Sequence, residues 1–157
     1  MIKEILLTLG ILLTLSGCAN SFERQINMQN ITLEQKQQPD RLYKTKSTDK
    51  ADFYTMEWAG TKGESMAFGS GLLYSDILKA FKVHCGFDEA DLYETRIVSY
   101  KPPTSYEVWV FKDLLSERED KTSAMSIIMT QLPNAGGVDM HFIGQCHSKP
   151  FQFVVGK

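Results

Sequence analysis

Cysteine and long apolar runs are scarce in this sequence of 157 residues, and it has slightly fewer Lys and Arg, 17, than Asp and Glu, 19. It has three cysteines, and its most apolar stretch, residues 5–15, is only about eleven residues long. A helix that crosses a membrane needs roughly 20 apolar residues, so this stretch is too short to span one. Residues 51–157 hold ten Lys and Arg against fourteen Asp and Glu, a net charge of −4. This balance argues against nucleic acid as a partner, because phosphate binding needs a basic patch.

The short apolar stretch has the length of the core of an export signal, which is about 7–15 residues. It ends in Leu15-Ser16-Gly17-Cys18. These four residues resemble the lipobox of bacterial lipoproteins, in which the cysteine receives lipid and becomes the first residue of the mature protein. The resemblance implies that residues 1–17 are a signal peptide and that Cys18 carries diacylglycerol and a further acyl chain, of which palmitate is typical.

The lipobox also implies a location for the protein. Three acyl chains anchor a protein stably, since two already suffice. The residue after Cys18 is Ala19, not the aspartate that retains lipoproteins in the inner membrane of enteric-type bacteria. The resemblance therefore implies a protein that is lipid-anchored in the cell envelope, at the periplasmic face of the outer membrane.

After the signal, the composition changes once more near residue 50. Residues 18–50 are rich in Gln, Asn, Lys and Thr and carry a net charge of +2. Such a polar segment buries too little apolar area to offset its ordering entropy, so we predict a flexible tether over residues 18–50. Residues 51–157 have the size and composition of a single globular domain.

The domain is predicted to contain one helix and several strands. Residues 72–84 carry apolar side chains at helical spacing, and Gly86 follows them where a helix often ends. Because short turns join the later strands, neighbours in sequence are predicted to pair antiparallel. The strands are predicted at residues 53–58, 92–100, 106–111, 123–132, 138–146 and 151–155.

This order of elements predicts an α+β fold, with one helix packed on a curved antiparallel sheet of about five or six strands. The order is similar to that of cystatins, and a compact barrel that closes around the helix is the alternative. Residues 152–156 also match the Gln-x-Val-x-Gly pattern of cystatin inhibitors. They lie at the end of the sequence, where we predict a strand and no inhibitory wedge.

Lipidation of Cys18 leaves an even pair of cysteines, Cys85 and Cys146. In an oxidising compartment such a pair predicts one disulfide, which would join the end of the helix to the next-to-last strand. His84 and His147 lie beside the two cysteines, so a zinc site is the alternative, although the spacing is not that of a compact zinc finger. We predict the disulfide, with no metal and no cofactor.

The hairpin between the second and third predicted strands is the candidate for contact with a partner, because prolines stiffen it and tyrosines flank it. Its candidate contact residues are Tyr100, Pro102, Pro103 and Tyr106. No catalytic set is recognisable, so we expect no enzyme. The sequence predicts a non-enzymatic module that binds another envelope protein, either as part of an envelope or secretion machine or as an inhibitor or immunity protein. A small-ligand carrier or sensor in the periplasm is the alternative.

Overall fold

Two helices and two antiparallel sheets form the part of the chain that the structure, a computed structural model, describes: residues 22–134, 136–150 and 152–156. The predicted α+β class is therefore confirmed. The predicted signal peptide over residues 1–17 and the lipidation site Cys18 lie outside the described residues. The elements in chain order are α1 (22–35), β1 (Asp40–Ser47), β2 (Ala51–Trp58), β3 (Thr61–Lys62), α2 (Gly71–Cys85), β4 (Leu92–Lys101), β5 (Thr104–Lys112), β6 (Thr122–Gln131), β7 (Val138–Gly144) and β8 (Gln152–Gly156).

The strands divide between two sheets, where we expected one sheet of five or six strands. The larger sheet has the order β3-β4-β5-β6-β7, and the smaller sheet has the order β1-β2-β8. All neighbouring strands pair antiparallel. The first and last predicted strands correspond to β2 and β8. They belong to the smaller sheet, in which β2 pairs with β1 on one side and with β8 on the other.

The helix α2 packs on one face of the larger sheet. It begins at Ser70, whose side chain accepts a hydrogen bond from the Leu73 N–H, and Gly86 ends it with a φ of 78°. Its fully buried residues Ile77 and Phe81 lie in one apolar cluster with side chains of β5 and β6. The strand residues of that cluster are Trp109, Phe111, Ile127 and Met129.

The opposite face of the larger sheet is also covered. Trp58 and Ala59, at the end of β2, pack there in a second apolar cluster. The Trp58 indole N–H donates to the Thr122 hydroxyl at 3.1 Å. β5 is therefore buried on both faces, which fits the uninterrupted apolar run of residues 108–111. The members of β5 and β6 in this cluster are Tyr106, Val108, Val110, Ala124 and Ile128.

Part of the expected tether is ordered secondary structure. Residues 22–35 form α1 and Asp40–Ser47 form β1, which pairs with β2 across the expected domain boundary at residue 50. A composition-based argument missed this, because the contacts that hold α1 come from a few residues, among which Asn30 is polar. The Asn30 amide donates to the Leu42 carbonyl at 2.9 Å and accepts from the Leu42 N–H at 2.7 Å. None of the helices among the described residues is long and apolar enough to cross a membrane.

The two cysteines of the domain lie together, as the sequence predicts. The sulfur atoms of Cys85 and Cys146 are 1.96 Å apart and their Cα atoms 5.1 Å apart. Cys85 is the last residue of α2, and Cys146 follows β7 by two residues. The pair therefore joins the end of the helix to the segment that leaves the larger sheet.

Candidate functional site

The predicted contact hairpin joins β4 to β5, and three of its four candidate residues are exposed. Tyr100, Pro102 and Pro103 lie at the tip. Tyr106 is instead buried, and its hydroxyl donates to the Gln38 carbonyl at 2.7 Å. Strand alternation is the reason, since it points Tyr106 to the same face as Val108 and into the cluster with Trp58.

A more exposed apolar feature lies at the other end of β5, in residues 113–121, which we call the leucine loop. Leu114 is 88% exposed and Leu115 is 71% exposed. Single exposed leucines are ordinary in folded proteins, whereas two adjacent ones on one loop need an explanation. What holds the loop decides whether these side chains are displayed in a fixed position.

Asp113 holds the start of the leucine loop. One of its carboxylate oxygens accepts a hydrogen bond from the Leu115 N–H at 2.9 Å. The other accepts from the Ser123 hydroxyl at 2.6 Å and from His147 Nδ1 at 2.9 Å. Burial acts to raise the pKa of Asp113, but the hydrogen bonds from Ser123 and His147 outweigh it, so this pKa lies below its ordinary value. The carboxylate stays charged at neutral pH and fixes the backbone beneath the leucines.

Ser116 closes the middle of the loop. Its side chain is buried, and its hydroxyl donates to the Thr122 carbonyl at 2.6 Å and accepts from the Arg118 N–H at 3.2 Å. The Ser116 N–H donates to the Asp113 carbonyl at 3.1 Å. The turn is therefore tied together internally through both its backbone and this side chain.

Arg118 ties the loop to the smaller sheet. Its guanidinium lies 4.2 Å from the centre of the Trp58 ring and donates to the Met56 carbonyl at 2.8 Å. It also donates to Asp120 at 3.1 Å. Burial acts to raise the pKa of Asp120, but the hydrogen bonds from Arg118 and Thr122 outweigh it and lower this pKa. A largely buried arginine with these partners does not move freely, so the loop has little freedom relative to β2.

The segment after β7 supports the loop from a third side. The Glu117 N–H donates to the Ser148 carbonyl at 3.0 Å, and the Ser148 N–H donates to the Ser123 hydroxyl at 2.7 Å. With His147, this segment makes three hydrogen bonds to the loop and to the strand that follows it. The leucine loop is therefore a rigid platform that presents Leu114 and Leu115 outward.

Aromatic side chains continue the apolar surface beside the loop. Leu114 and the exposed Tyr93 line a depression of about 280 Å³. Tyr93 and the exposed Phe68 line a second one of about 420 Å³. We call Leu114, Leu115, Tyr93 and Phe68 the apolar patch. An exposed apolar surface of this kind suits contact with another protein, and aromatic side chains such as Tyr93 are frequent anchors in such contacts.

Acidic side chains of the leucine loop itself, together with Glu57 of β2, line a cleft beside the smaller sheet. An open cleft of about 490 Å³ lies between the loop and the smaller sheet. Its acidic lining residues are Glu57, Glu117, Glu119 and Asp120. The apolar patch therefore has a negatively charged neighbour, which favours a partner with basic residues at the rim of its contact surface.

The polar groups near the loop do not form a nucleophile and base pair. Ser123 donates to the carboxylate of Asp113, and His147 binds the same carboxylate oxygen. In a hydrolytic triad the hydroxyl contacts the imidazole, so this arrangement serves to hold the loop. Among the described residues, no group of three or more His, Cys, Asp and Glu side chains is placed to hold a metal ion.

The interface between α2 and the larger sheet is filled by aromatic rings. The ring of Phe81 lies 4.5 Å from that of Phe111, 5.4 Å from that of Phe142 and 6.0 Å from that of Trp109, measured between centroids. A small-ligand carrier with its site between helix and sheet would need this space for the ligand, and the rings occupy it. We therefore take the exposed apolar patch as the candidate functional site.

Sequence reasoning missed the leucine loop, although a signal was present. Two leucines stand between a lysine–aspartate pair and a highly charged turn, where a solvent-exposed loop ordinarily has polar residues.

Comparisons of this chain with protein-family models, with curated proteins and with solved structures found no match.

Proposed function

We propose that this protein is a non-enzymatic lipoprotein of the cell envelope that binds another envelope protein through the apolar patch. The lipid on Cys18 holds it at the periplasmic face of the outer membrane. The display of Leu114 and Leu115 on a loop whose polar groups are hydrogen-bonded within the loop and to neighbouring strands carries the proposal. The binding role fits either a component of an envelope or secretion machine or an inhibitor or immunity protein.

The order of the loop in the free protein favours binding, because less conformational entropy is lost when a partner covers the loop. Burial of a leucine side chain contributes about 1.5–3 kcal/mol, and a loop that is already ordered loses little entropy when a partner covers it. The bonds of Asp113, Ser116 and Arg118 supply that order in the free protein. A partner that buries both leucines therefore gains apolar contact at little cost in loop entropy.

The chemistry of the partner follows from the surroundings of the patch. The partner offers an apolar pocket that accepts Leu114 and Leu115, and basic residues that face the acidic cleft. Exposed charges of opposite sign speed the encounter and fix the orientation more than they raise the affinity. The apolar contact therefore supplies most of the binding free energy.

A photo-crosslinking amino acid at position 114 tests the contact in intact cells. We expect a covalent adduct with one envelope protein from position 114 and none from position 72. Leu72 is the matched control, because it is a leucine that is 76% exposed on the first turn of α2. Equal adducts from both positions, or none from position 114, would contradict the proposed contact surface.

Substitution of both leucines measures the strength of the contact. With the partner purified from the adduct, the double variant Leu114→Ser and Leu115→Ser is expected to weaken binding at least about 30-fold, because burial of each leucine contributes about 1.5–3 kcal/mol. Leu72→Ser is expected to bind as the unchanged protein does. Both variants keep the unfolding free energy within about 0.5 kcal/mol, since the side chains are exposed. Undiminished binding by the double variant would refute the role of the leucine loop.

The anchor has its own test at Cys18. Cells grown with labelled palmitate are expected to yield labelled protein, and Cys18→Ser is expected to remove the label and to release the protein from the membrane fraction. The lipobox motivates this expectation. Cys85→Ser with Cys146→Ser is the control, which keeps the label. Label that persists in Cys18→Ser would rule out lipidation at this residue.

A further inference from the structure

The helix α1 has an inner and an outer stripe of side chains. Phe22 and Asn30 belong to the inner stripe and contact the smaller sheet, through the Tyr54 ring and the Leu42 backbone. The outer stripe is spaced at intervals of four, three and four residues, so its members share the opposite side of the helix. It consists of Arg24, Met28, Ile31 and Gln35, all of which are exposed.

Two apolar side chains occupy the centre of the outer stripe. Met28 is 63% exposed and Ile31 is 54% exposed, and they lie one helical turn apart. Tyr43, on β1, is also exposed, but it lines a depression with Asn27 and Asn30 on the side of α1 toward the smaller sheet and is not part of the outer stripe. Exposed apolar side chains along one side of a helix are typical of helices that lie in the interface of a membrane.

The position of the lipidation site decides what covers this stripe. Three residues separate Cys18 from Phe22, and a chain extends at most about 3.6 Å per residue, so Phe22 lies within roughly 14 Å of the Cα atom of Cys18. A lipid on Cys18 sits in the bilayer. The start of α1 is therefore held close to the membrane surface, whatever path the intervening residues take.

We infer that α1 lies on the bilayer, with Met28 and Ile31 of its outer stripe in contact with lipid. The inference rests on lipidation at Cys18, which belongs to the proposed function. It adds a defined orientation, in which the protein contacts the membrane through α1 as well as through its acyl chains.

Charge supports lipid as the occupant of this surface. Residues 18–50 carry a net charge of +2, whereas residues 51–157 carry −4. The helix itself carries Arg24 against Glu23 and Glu34, so the positive charge lies in the segment that follows it. Its exposed lysines are Lys36, Lys44, Lys46 and Lys50. Anionic headgroups attract basic residues near a membrane surface, and the acidic remainder of the domain is repelled. Both effects turn the side of the protein that carries α1 and β1 toward the bilayer.

An environment-sensitive fluorophore on the outer stripe tests the orientation. The full lipidated protein carries Met28→Cys or Ile31→Cys, and the control carries Val83→Cys, since Val83 is a β-branched residue that is 71% exposed on α2. The probe, a nitrobenzoxadiazole, reacts only with the new cysteine, because Cys18 is acylated and Cys85 and Cys146 are paired. The vesicles contain phosphatidylethanolamine and phosphatidylglycerol in a ratio of three to one.

We expect the emission at positions 28 and 31 to shift to the blue and to rise at least about twofold on vesicles, and the emission at position 83 to stay as in water. Flotation of the vesicles reports the anchor independently. Protein that does not float overturns the anchor and the inference together. Protein that floats with water-like emission at 28 and 31, or with equal shifts at all three positions, overturns only the inference. Shielding in native envelopes but not in pure vesicles shows that a protein covers α1, and it also overturns the inference.

Discussion

Replacement of Glu107 by alanine is expected to lower the unfolding free energy by about 3–5 kcal/mol. Glu107 is fully buried in β5. Its carboxylate accepts hydrogen bonds at 3.0 Å from the Met66 N–H, the Ser105 hydroxyl and the Trp109 indole N–H. Alanine leaves the buried donors of Ser105 and Trp109 and the half-buried Met66 N–H without this acceptor, and each unsatisfied buried donor costs about 1–3 kcal/mol.

Urea denaturation followed by circular dichroism measures this loss. Glu107→Gln keeps the size of the side chain but places an amide N–H₂ among donors, so we expect a loss smaller than that of alanine. Glu117→Ala is the matched control, because the Glu117 side chain is exposed, and its expected change is within about 0.5 kcal/mol. A loss below about 1 kcal/mol for Glu107→Ala would show that water replaces the carboxylate, contrary to this account.

Loss of the Cys85–Cys146 link is expected to have a second large effect. The two residues are 61 positions apart, and closing a loop of that length in the unfolded chain is worth about 4 kcal/mol on the chain-entropy model. The double variant Cys85→Ser with Cys146→Ser is expected to lose about that much unfolding free energy. His147 and Ser148 directly follow Cys146 and support the leucine loop, so the loop is expected to loosen as well.

Hydrogen exchange distinguishes the local effect from the global one. In the double variant, the amide protons of Leu115 and Glu117 are expected to exchange faster by a larger factor than those in the middle of β5. Reduction of the unchanged protein with dithiothreitol should reproduce both effects, and the reductant should not affect the double variant. If reductant leaves the unfolding curve of the unchanged protein in place, the two thiols are not joined.

The local parts of this fold could be predicted from the sequence. Periodicity and Gly86 place α2 nearly at its observed bounds, and the even cysteine pair predicts the link between Cys85 and Cys146. Both signals depend on a few neighbouring residues or on simple parity. By contrast, α1 is polar on most of its surface, and the half-buried amide of Asn30 and the ring of Phe22 hold it against the smaller sheet. The Asn30 contact depends on a partner twelve residues away, so composition alone missed it.

The division into two sheets could not be read from the sequence. Alternation of side chains predicts that a strand exists and which side faces inward, but it does not identify the neighbouring strand. β2 pairs with β8, although the two strands lie at opposite ends of the domain sequence. The leucine loop has the same limitation, because exposure of Leu114 depends on the bonds of Asp113 and Arg118 to distant segments.

The position of β2 between β1 and β8 sets an order of assembly. A turn of three residues separates β1 from β2, whereas β8 follows only after the entire larger sheet. Every strand pair from β4 to β7 forms between neighbours in sequence, and such local contacts form faster than distant ones. We therefore expect one edge of β2 to stay unpaired during folding until residues 152–156 pair with it. We expect that open edge to be the part of the incomplete chain most prone to pair with the wrong strand.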